Sequence, residues 1–191
     1  MPDDELYVGP SLLEPGARDP LDGAGHRLAS RLLVPIAVLA FVVLMFYVFF
    51  HFSRVDGPSM LPTLRTNDRM LVTKGYPTPR RGDVIVTKVI ENGQPVDLVK
   101  RVIALPGDTV EIRQDAAIVN GQPEPARGQI IFLPVAVSAA AITVPPGMLY
   151  VMGDNRPDST DSRFIGSVPL RGVLGRAVAI YTPVNRIRMI H

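Results

Sequence analysis

Apolar and polar positions change rhythm once along the chain. From Leu32 to Phe52 the sequence reads LLVPIAVLAFVVLMFYVFFHF, with no Asp, Glu, Lys or Arg. At 1.5 Å per helical residue such a run spans about 30 Å, the thickness of a bilayer's hydrocarbon core. Phe46, Tyr47, Phe49, Phe50 and Phe52 crowd its C-terminal half like an interfacial belt. The pattern predicts an uncleaved transmembrane helix over 32–52. A cleaved export leader would have a shorter apolar core, roughly 7–15 residues, and a small-residue processing site. The stretch FFHFSRVD offers no such site.

Beyond residue 53 helical periodicity is scarce. Short β-branched runs replace it: RMLVT, GDVIVTKVI, VDLVKRVIAL, DTVEIR, AAIVNGQ, GQIIFLPVAV, MLYVMG and GRAVAIY, separated by Gly, Pro and Asn. Many strands divided by turn residues predict a mainly β domain, an antiparallel sandwich or barrel, over residues 53–191. The Asn120-Gly121 pair between apolar runs marks a hairpin. Residues 122–147, rich in proline and alanine, read as an irregular insertion. Residues 1–31, rich in Gly, Pro and Asp without periodicity, read as a disordered tail. Arg27 and Arg31 before the apolar run favour a cytoplasmic N-terminus, which would leave the β domain outside; Arg54, Arg65 and Arg69 after it weaken the charge argument.

Composition narrows the chemistry. A chain of 191 residues holds one domain plus an anchor, and a formal net charge of +2 with no Lys/Arg block argues against a nucleic-acid partner. There is no cysteine, hence no disulfide, thiolate ligand or cysteine nucleophile. The three histidines, His26, His51 and His191, lie beside the apolar run or at the last position, poorly placed for a Ser/His pair. G-x-S-x-G, S-x-x-K and HExxH stretches are missing, so neither a metal nor a cofactor is expected.

A serine that acts without histidine needs another base, and lysine is the remaining candidate. Of Lys74, Lys88 and Lys100, the last stands out when VDLVKRVIA is read with the period of a strand. Val96, Leu98, Lys100, Val102 and Ala104 share one face; Asp97, Val99, Arg101 and Ile103 share the other. Lys100 is the only polar residue on its face. An exposed lysine is neutral in only about one molecule in a thousand near neutral pH, whereas burial disfavours the ammonium. On spacing alone a snorkelling lysine remains open, and so does a turn role for Ser59 in DGPSMLPTL.

Four stretches together resemble a known family. DGPSMLPTL, RRGDVIV, VKRVIALPGD and MGDNRPDSTDSRFIGSVP, in this order behind an apolar span, are similar to the boxes of bacterial type I signal peptidases. The resemblance implies that fold with one N-terminal transmembrane helix. It implies a plasma-membrane serine endopeptidase with an extracytoplasmic catalytic domain, working beside the lipid bilayer and the protein-export machinery. Signal peptides would be removed from exported preproteins after small residues at −1 and −3. Ser59 would attack the scissile carbonyl and neutral Lys100 would take its proton. Ser159 would orient the amine, Asp161 with Arg163 and Arg101 with Asp154 would form ion pairs beside the site, and Gly153 would permit close backbone approach. Where many members carry an oxyanion-hole serine, two positions before the nucleophile, this chain has Gly57. The substrate would add as an extended strand between Asp97, Leu98 and Val99 on one side and Val55 to Pro58 on the other, with Met60, Leu98 and Val102 as pocket walls. Three other readings compete with this one. A self-cleaving repressor would be soluble with a DNA-binding module, a silent anchored β domain would lack the serine or lysine, and an anchored peptidase with few substrates stays open.

Overall fold

β-Branched runs punctuated by glycine and proline form the strands of the computed structural model, which describes residues 22–76, 78–91, 93–124, 130–131 and 138–191, with side chains from Leu33 onward. α1 (Asp22–Phe49) leads into β1 (Phe50–Arg54), β2 (Arg69–Lys74), β3 (Val84–Glu91), β4 (Gln94–Ala104), β5 (Thr109–Arg113) and β6 (Ala116–Val119). There follow β7 (Gln122–Pro123), β8 (Ala139–Thr143), β9 (Met148–Met152), α2 (Ser162–Ile165), β10 (Val168–Pro169), β11 (Val173–Thr182) and β12 (Arg188–Met189). The larger sheet runs β1-β2-β11-β3-β4-β9-β10 with β12 on β11, and the smaller runs β7-β6-β5-β8. All the named strands pair antiparallel.

Alternation sorts the side chains. Ile103, Ala104, Tyr150 and Met152 of the larger sheet pack with Val110, Ile112, Ala117 and Val119 of the smaller. Val102 packs instead with Ile85, Leu149 and Val151. A third cluster joins Val55, Met60 and Leu64, from the connection between β1 and β2, to Met70, Val72, Val84, Val86, Ala177, Ile180 and Ile190. That connection is therefore held by core burial as well as by its ends.

Three boundaries differ from the sequence expectation. α1 begins at Asp22, inside the segment read as disordered, because an apolar helix extends readily into Ala, Leu and Arg. It ends at Phe49, since Phe50 to Phe52 pair with Thr73 to Leu71 and aromatic residues suit a strand. Residues 1–21 lie outside the described residues. Within 122–147, β7 closes the Asn120-Gly121 hairpin, whose φ values of 52° and 76° are those of a primed turn. β8 adds to the free edge of β5, with Val110 opposite Ile142. The expected run GQIIFLPVAV falls mostly outside the described residues. Among the described residues no helix is long and apolar enough to cross a membrane. The α1 side chains that are described begin at Leu33, and most large apolar ones are exposed, from Leu33 at 63% to Phe49 at 57%.

Candidate active site

Ser59 sits on the β1–β2 connection, which is fastened on both sides. Val55 donates its N–H to Asp68 O at 2.9 Å and accepts from Asn67 N–H at 2.9 Å. Met60 and Leu64, both in the core, anchor the chain just beyond the serine. Asp68 closes the base of the connection by accepting from Arg65 N–H at 2.8 Å and from the Arg186 guanidinium at 2.8 Å. Desolvation of that carboxyl works against ionisation, but Arg186 and the Arg65 N–H outweigh it and hold its pKa below the usual value.

Lys100 meets the serine from β4. It stands opposite Ile85 in the β3–β4 ladder, shares its face with Val102, and is 3% exposed. Its Nζ lies 2.8 Å from Ser59 Oγ. Burial holds the amine below the ordinary lysine value; Asp161 and Glu91 favour the ammonium, and Arg163 opposes it. The pair opens onto a groove of about 680 Å³, lined also by Asp56, Gly57, Leu98, Ser159 and Phe164.

The segment after β9 clamps the serine in place. Asn155 donates its N–H to Ser59 O at 3.0 Å and its Nδ2 to Pro58 O at 3.2 Å. At Gly153 the backbone passes close against the serine segment. A Cβ there would lie 2.3 Å from Ser159 Oγ and 2.4 Å from Ser59 O. Asp161 accepts Gly153 N–H at 2.9 Å and caps α2 by accepting Arg163 N–H.

The ion pairs are buried. Arg101 grips Asp154 through two bonds of 2.8 and 2.7 Å, both side chains almost fully enclosed, and Thr63 Oγ1 donates to the same carboxylate. Arg163 joins Asp161 at 2.9 Å and Asp115 at 2.6 Å. A surface ion pair is worth little, whereas removing one partner of an enclosed pair leaves an uncompensated buried charge, so these pairs hold the site together.

Other expected site residues are distributed unevenly. Leu98 lines the groove, whereas Val55, Met60 and Val102 are core residues with almost no surface and cannot wall a pocket. Asp97 is exposed and pairs with Lys88 at 3.9 Å. Val99 packs against the core cluster beneath the serine. Ser159 lines the groove, yet its Oγ is buried with no hydrogen-bond partner among the described residues, so no bond to Lys100 is formed. Gly57 has φ +89° and open space around its Cβ direction, so conformation, and not crowding, disfavours a serine there. Among the described residues Ser59 N–H has no acceptor.

Sequence reading missed Asn155, Thr63 and Arg156. Arg156 is buried, donates to Gly153 O at 3.0 Å and meets Glu124 at 2.5 Å. Its only signal was the GDNR run, and its partner lies in the stretch read as irregular. Among the described residues no cluster of His, Cys, Asp and Glu could hold a metal ion.

The β4 edge completes the arrangement. β3 pairs with β4 over its whole length, but β9 pairs only from Arg101 onward, so, among the described residues, 94–100 present an unpaired edge beside the serine. A hydroxyl against a sheltered amine, next to an open strand edge, is the equipment of a peptidase that binds extended chains. The family described as "Signal peptidase, peptidase S26" matches residues 28–182, and the chain belongs to it. It is a serine endopeptidase. It is 35% identical to signal peptidase I of Leptolyngbya laminosa over 187 residues, covering 93% of this chain and 88% of that one. Signal peptidase I S of Bacillus subtilis (strain 168) is 34% identical over 168 residues, covering 81% and 89%. A crystal structure of a signal peptidase I from Enterococcus faecalis V583 aligns with TM-score 0.42 at 35% identity, over 52% of this chain and 96% of that one.

Proposed function

We propose that the protein removes signal peptides from exported preproteins, with Ser59 as nucleophile and Lys100 as general base. The observation that carries this is the 2.8 Å approach of a buried, depressed-pKa amine to a serine hydroxyl. Neutral Lys100 takes the Ser59 proton as Oγ attacks the scissile carbonyl, then passes it to the departing amine. The same amine then activates the water that hydrolyses the acyl-enzyme. Ser59 N–H, free of other acceptors, faces the developing oxyanion, and Gly57 leaves it without a neighbouring side-chain hydroxyl. Ser159 Oγ, buried and unpartnered, is available to orient the amine once substrate fills the groove. Gly153, Asp154, Arg101, Asp161 and Arg163 keep these groups in register.

The preprotein adds to the β4 edge along Asp97, Leu98 and Val99, facing the segment from Val55 to Pro58. Small residues at −1 and −3 fit beside Leu98, since the core positions of Val55 and Met60 leave no deep cavity. Asp56 and Gly57 carry main-chain groups without backbone partners among the described residues and can complete the β-addition. The apolar run 32–52 anchors the enzyme in the plasma membrane, N-terminus in the cytoplasm and residues 53–191 outside, beside the export machinery. Ser59 follows Phe52 by seven residues, so an extended chain carries it at most about 25 Å. An inserted signal peptide presents its cleavage site within that reach, and the shared membrane raises effective concentration.

The test is cleavage of a preprotein bearing Ala-x-Ala by the full chain in membranes or detergent. Wild type cuts after the second alanine; Ser59→Ala and Lys100→Ala, both folded, do not. Retention of cleavage by either variant removes the dyad.

A further inference from the structure

Twelve carboxylates carry described side chains, and their ion pairing is uneven in a way that points at the substrate. Nine of them pair with an arginine or lysine: Asp68, Asp83, Asp97, Asp108, Glu111, Asp115, Glu124, Asp154 and Asp161. The three left without a cation among the described residues are Asp56, Glu91 and Asp158, and all three line the Ser59 groove. They come from separate places in the chain, the β1–β2 connection, the end of β3 and the turn after β9, and each is exposed. Among the described residues the one cation lining the same groove is Lys100, which burial disfavours as an ammonium.

Two further features of the groove indicate what it receives. Phe164 lies there with its ring 62% exposed, already approached by the Arg163 guanidinium at 5.4 Å. An open aromatic face beside carboxylates suits a cationic side chain. Ser159, which lines the same space and is 8% exposed, keeps a buried hydroxyl without a hydrogen-bond partner among the described residues. Glu91 also works against the chemistry proposed for this site, because its charge favours the ammonium form of Lys100. A carboxylate that opposes the base and lacks a partner of its own gains one when a substrate cation docks, and that contact cancels its pull on the amine.

We propose that Asp56, Glu91 and Asp158 form a cation-selective rim on the Ser59 groove, favouring preproteins with lysine or arginine close to the cleavage site over those with glutamate or aspartate there. The inference rests on the signal-peptidase reading above and adds a specificity that this reading does not contain. The −1 and −3 residues stay small; the rim reads the side chains between and beyond them.

The experiment uses the full chain in detergent and a set of preproteins identical but for one residue, Lys or Glu, at −4, −2, +1 or +2 around an Ala-x-Ala site. The readout is the ratio of kcat/KM for the Lys and Glu members, taken within each enzyme so that a general loss of activity cancels. At low ionic strength the wild-type ratio reaches about tenfold at one position or more, two or three exposed pairs at roughly two- to fivefold each. It falls towards one in 0.5 M salt, which screens exposed charges beyond about 4 Å, and in the variant Asp56→Asn/Glu91→Gln/Asp158→Asn. Glu91→Gln alone lowers it part of the way, which keeps the test valid if the triple variant folds poorly. A wild-type ratio near one at every position, or one that neither salt nor the variants reduce, overturns the inference. If wild type fails to cut even the parent preprotein, the signal-peptide reading itself falls and takes the rim with it.

Discussion

Adding one methyl group at Gly153 tests the site's geometry most sharply. In Gly153→Ala the new Cβ would fall 2.4 Å from Ser59 O, 2.3 Å from Ser159 Oγ and 2.6 Å from Ser159 Cβ. Carbon and oxygen rest about 3.5 Å apart, so the partners must retreat by about 1 Å. Ser159 can yield by turning its side chain. Ser59 O cannot, because it is backbone and accepts Asn155 N–H at 3.0 Å, while Met60 next to it is locked in the core. The displacement therefore passes to Ser59 itself and spoils its 2.8 Å approach to Lys100. A misplacement of about 1 Å costs on the order of 10²-fold in rate, equivalent to about 2.7 kcal/mol of barrier. Overpacking adds about 1–3 kcal/mol of instability. The assay is kcat on an Ala-x-Ala preprotein, with thermal unfolding to separate the two effects. Gly153→Ala/Ser159→Gly removes both Ser159 contacts and leaves only the clash with Ser59 O, so its kcat falls well below that of Ser159→Gly alone. Wild-type activity in the single variant, or full rescue in the double one, refutes the argument.

Ser59→Ala and Lys100→Ala each lower kcat/KM by on the order of 10⁴-fold or more, and the double variant falls no further, because the two groups act as a unit; single-turnover cleavage measures this. Lys100→Met is more stable than wild type at acid pH, and its advantage shrinks as pH rises. The buried amine has a lower pKa folded than unfolded, so between the two values the unfolded chain binds more protons and wild-type stability climbs with pH; denaturant titration across pH checks the sign. Asp154→Asn leaves the Arg101 guanidinium enclosed against a neutral partner and costs about 3–5 kcal/mol, read as a lowered denaturation midpoint.

What the sequence disclosed was whatever depends on local pattern. The strand carrying Lys100 follows period two as far as Val102, whose face is completed by Ile85 and Val151; a register shift then turns Ala104 to pack with Ile103 instead. The Asn120-Gly121 turn was visible because both residues tolerate positive φ. The turn at Gln114-Asp115, with φ of 51° and 64°, was invisible because neither residue advertises it. Burial of the ion pairs was also hidden. Asp115 and Arg163, or Glu124 and Arg156, are distant in sequence and come together only when the smaller sheet packs beside the segment after β9. Met60 misled for a different reason: a residue next to a nucleophile points away from it, here into the core.

The pairing of Asp161 with Arg163 has a consequence for the base beyond stability. A lone carboxylate beside Lys100 would favour the ammonium and work against the burial that lowers the pKa of the amine. Asp161 is needed nonetheless, since its Oδ2 holds Gly153 N–H at 2.9 Å. Arg163, bonded to Asp161 at 2.9 Å and opposing the ammonium in its own right, lets the carboxylate brace the backbone while part of its field at the amine is offset. In Arg163→Met the brace survives but that offset is gone, so the Lys100 pKa rises, while burial still holds it below the ordinary value. The acid limb of the kcat/KM profile then moves to higher pH, and activity near neutrality falls several-fold while alkaline activity recovers. Arg163→Lys, which keeps a charge without the fork, shifts the limb less. A profile for Arg163→Met that drops uniformly at all pH values would mean the guanidinium is only a strut, and one displaced towards acid would show that the field at the amine has the opposite sign.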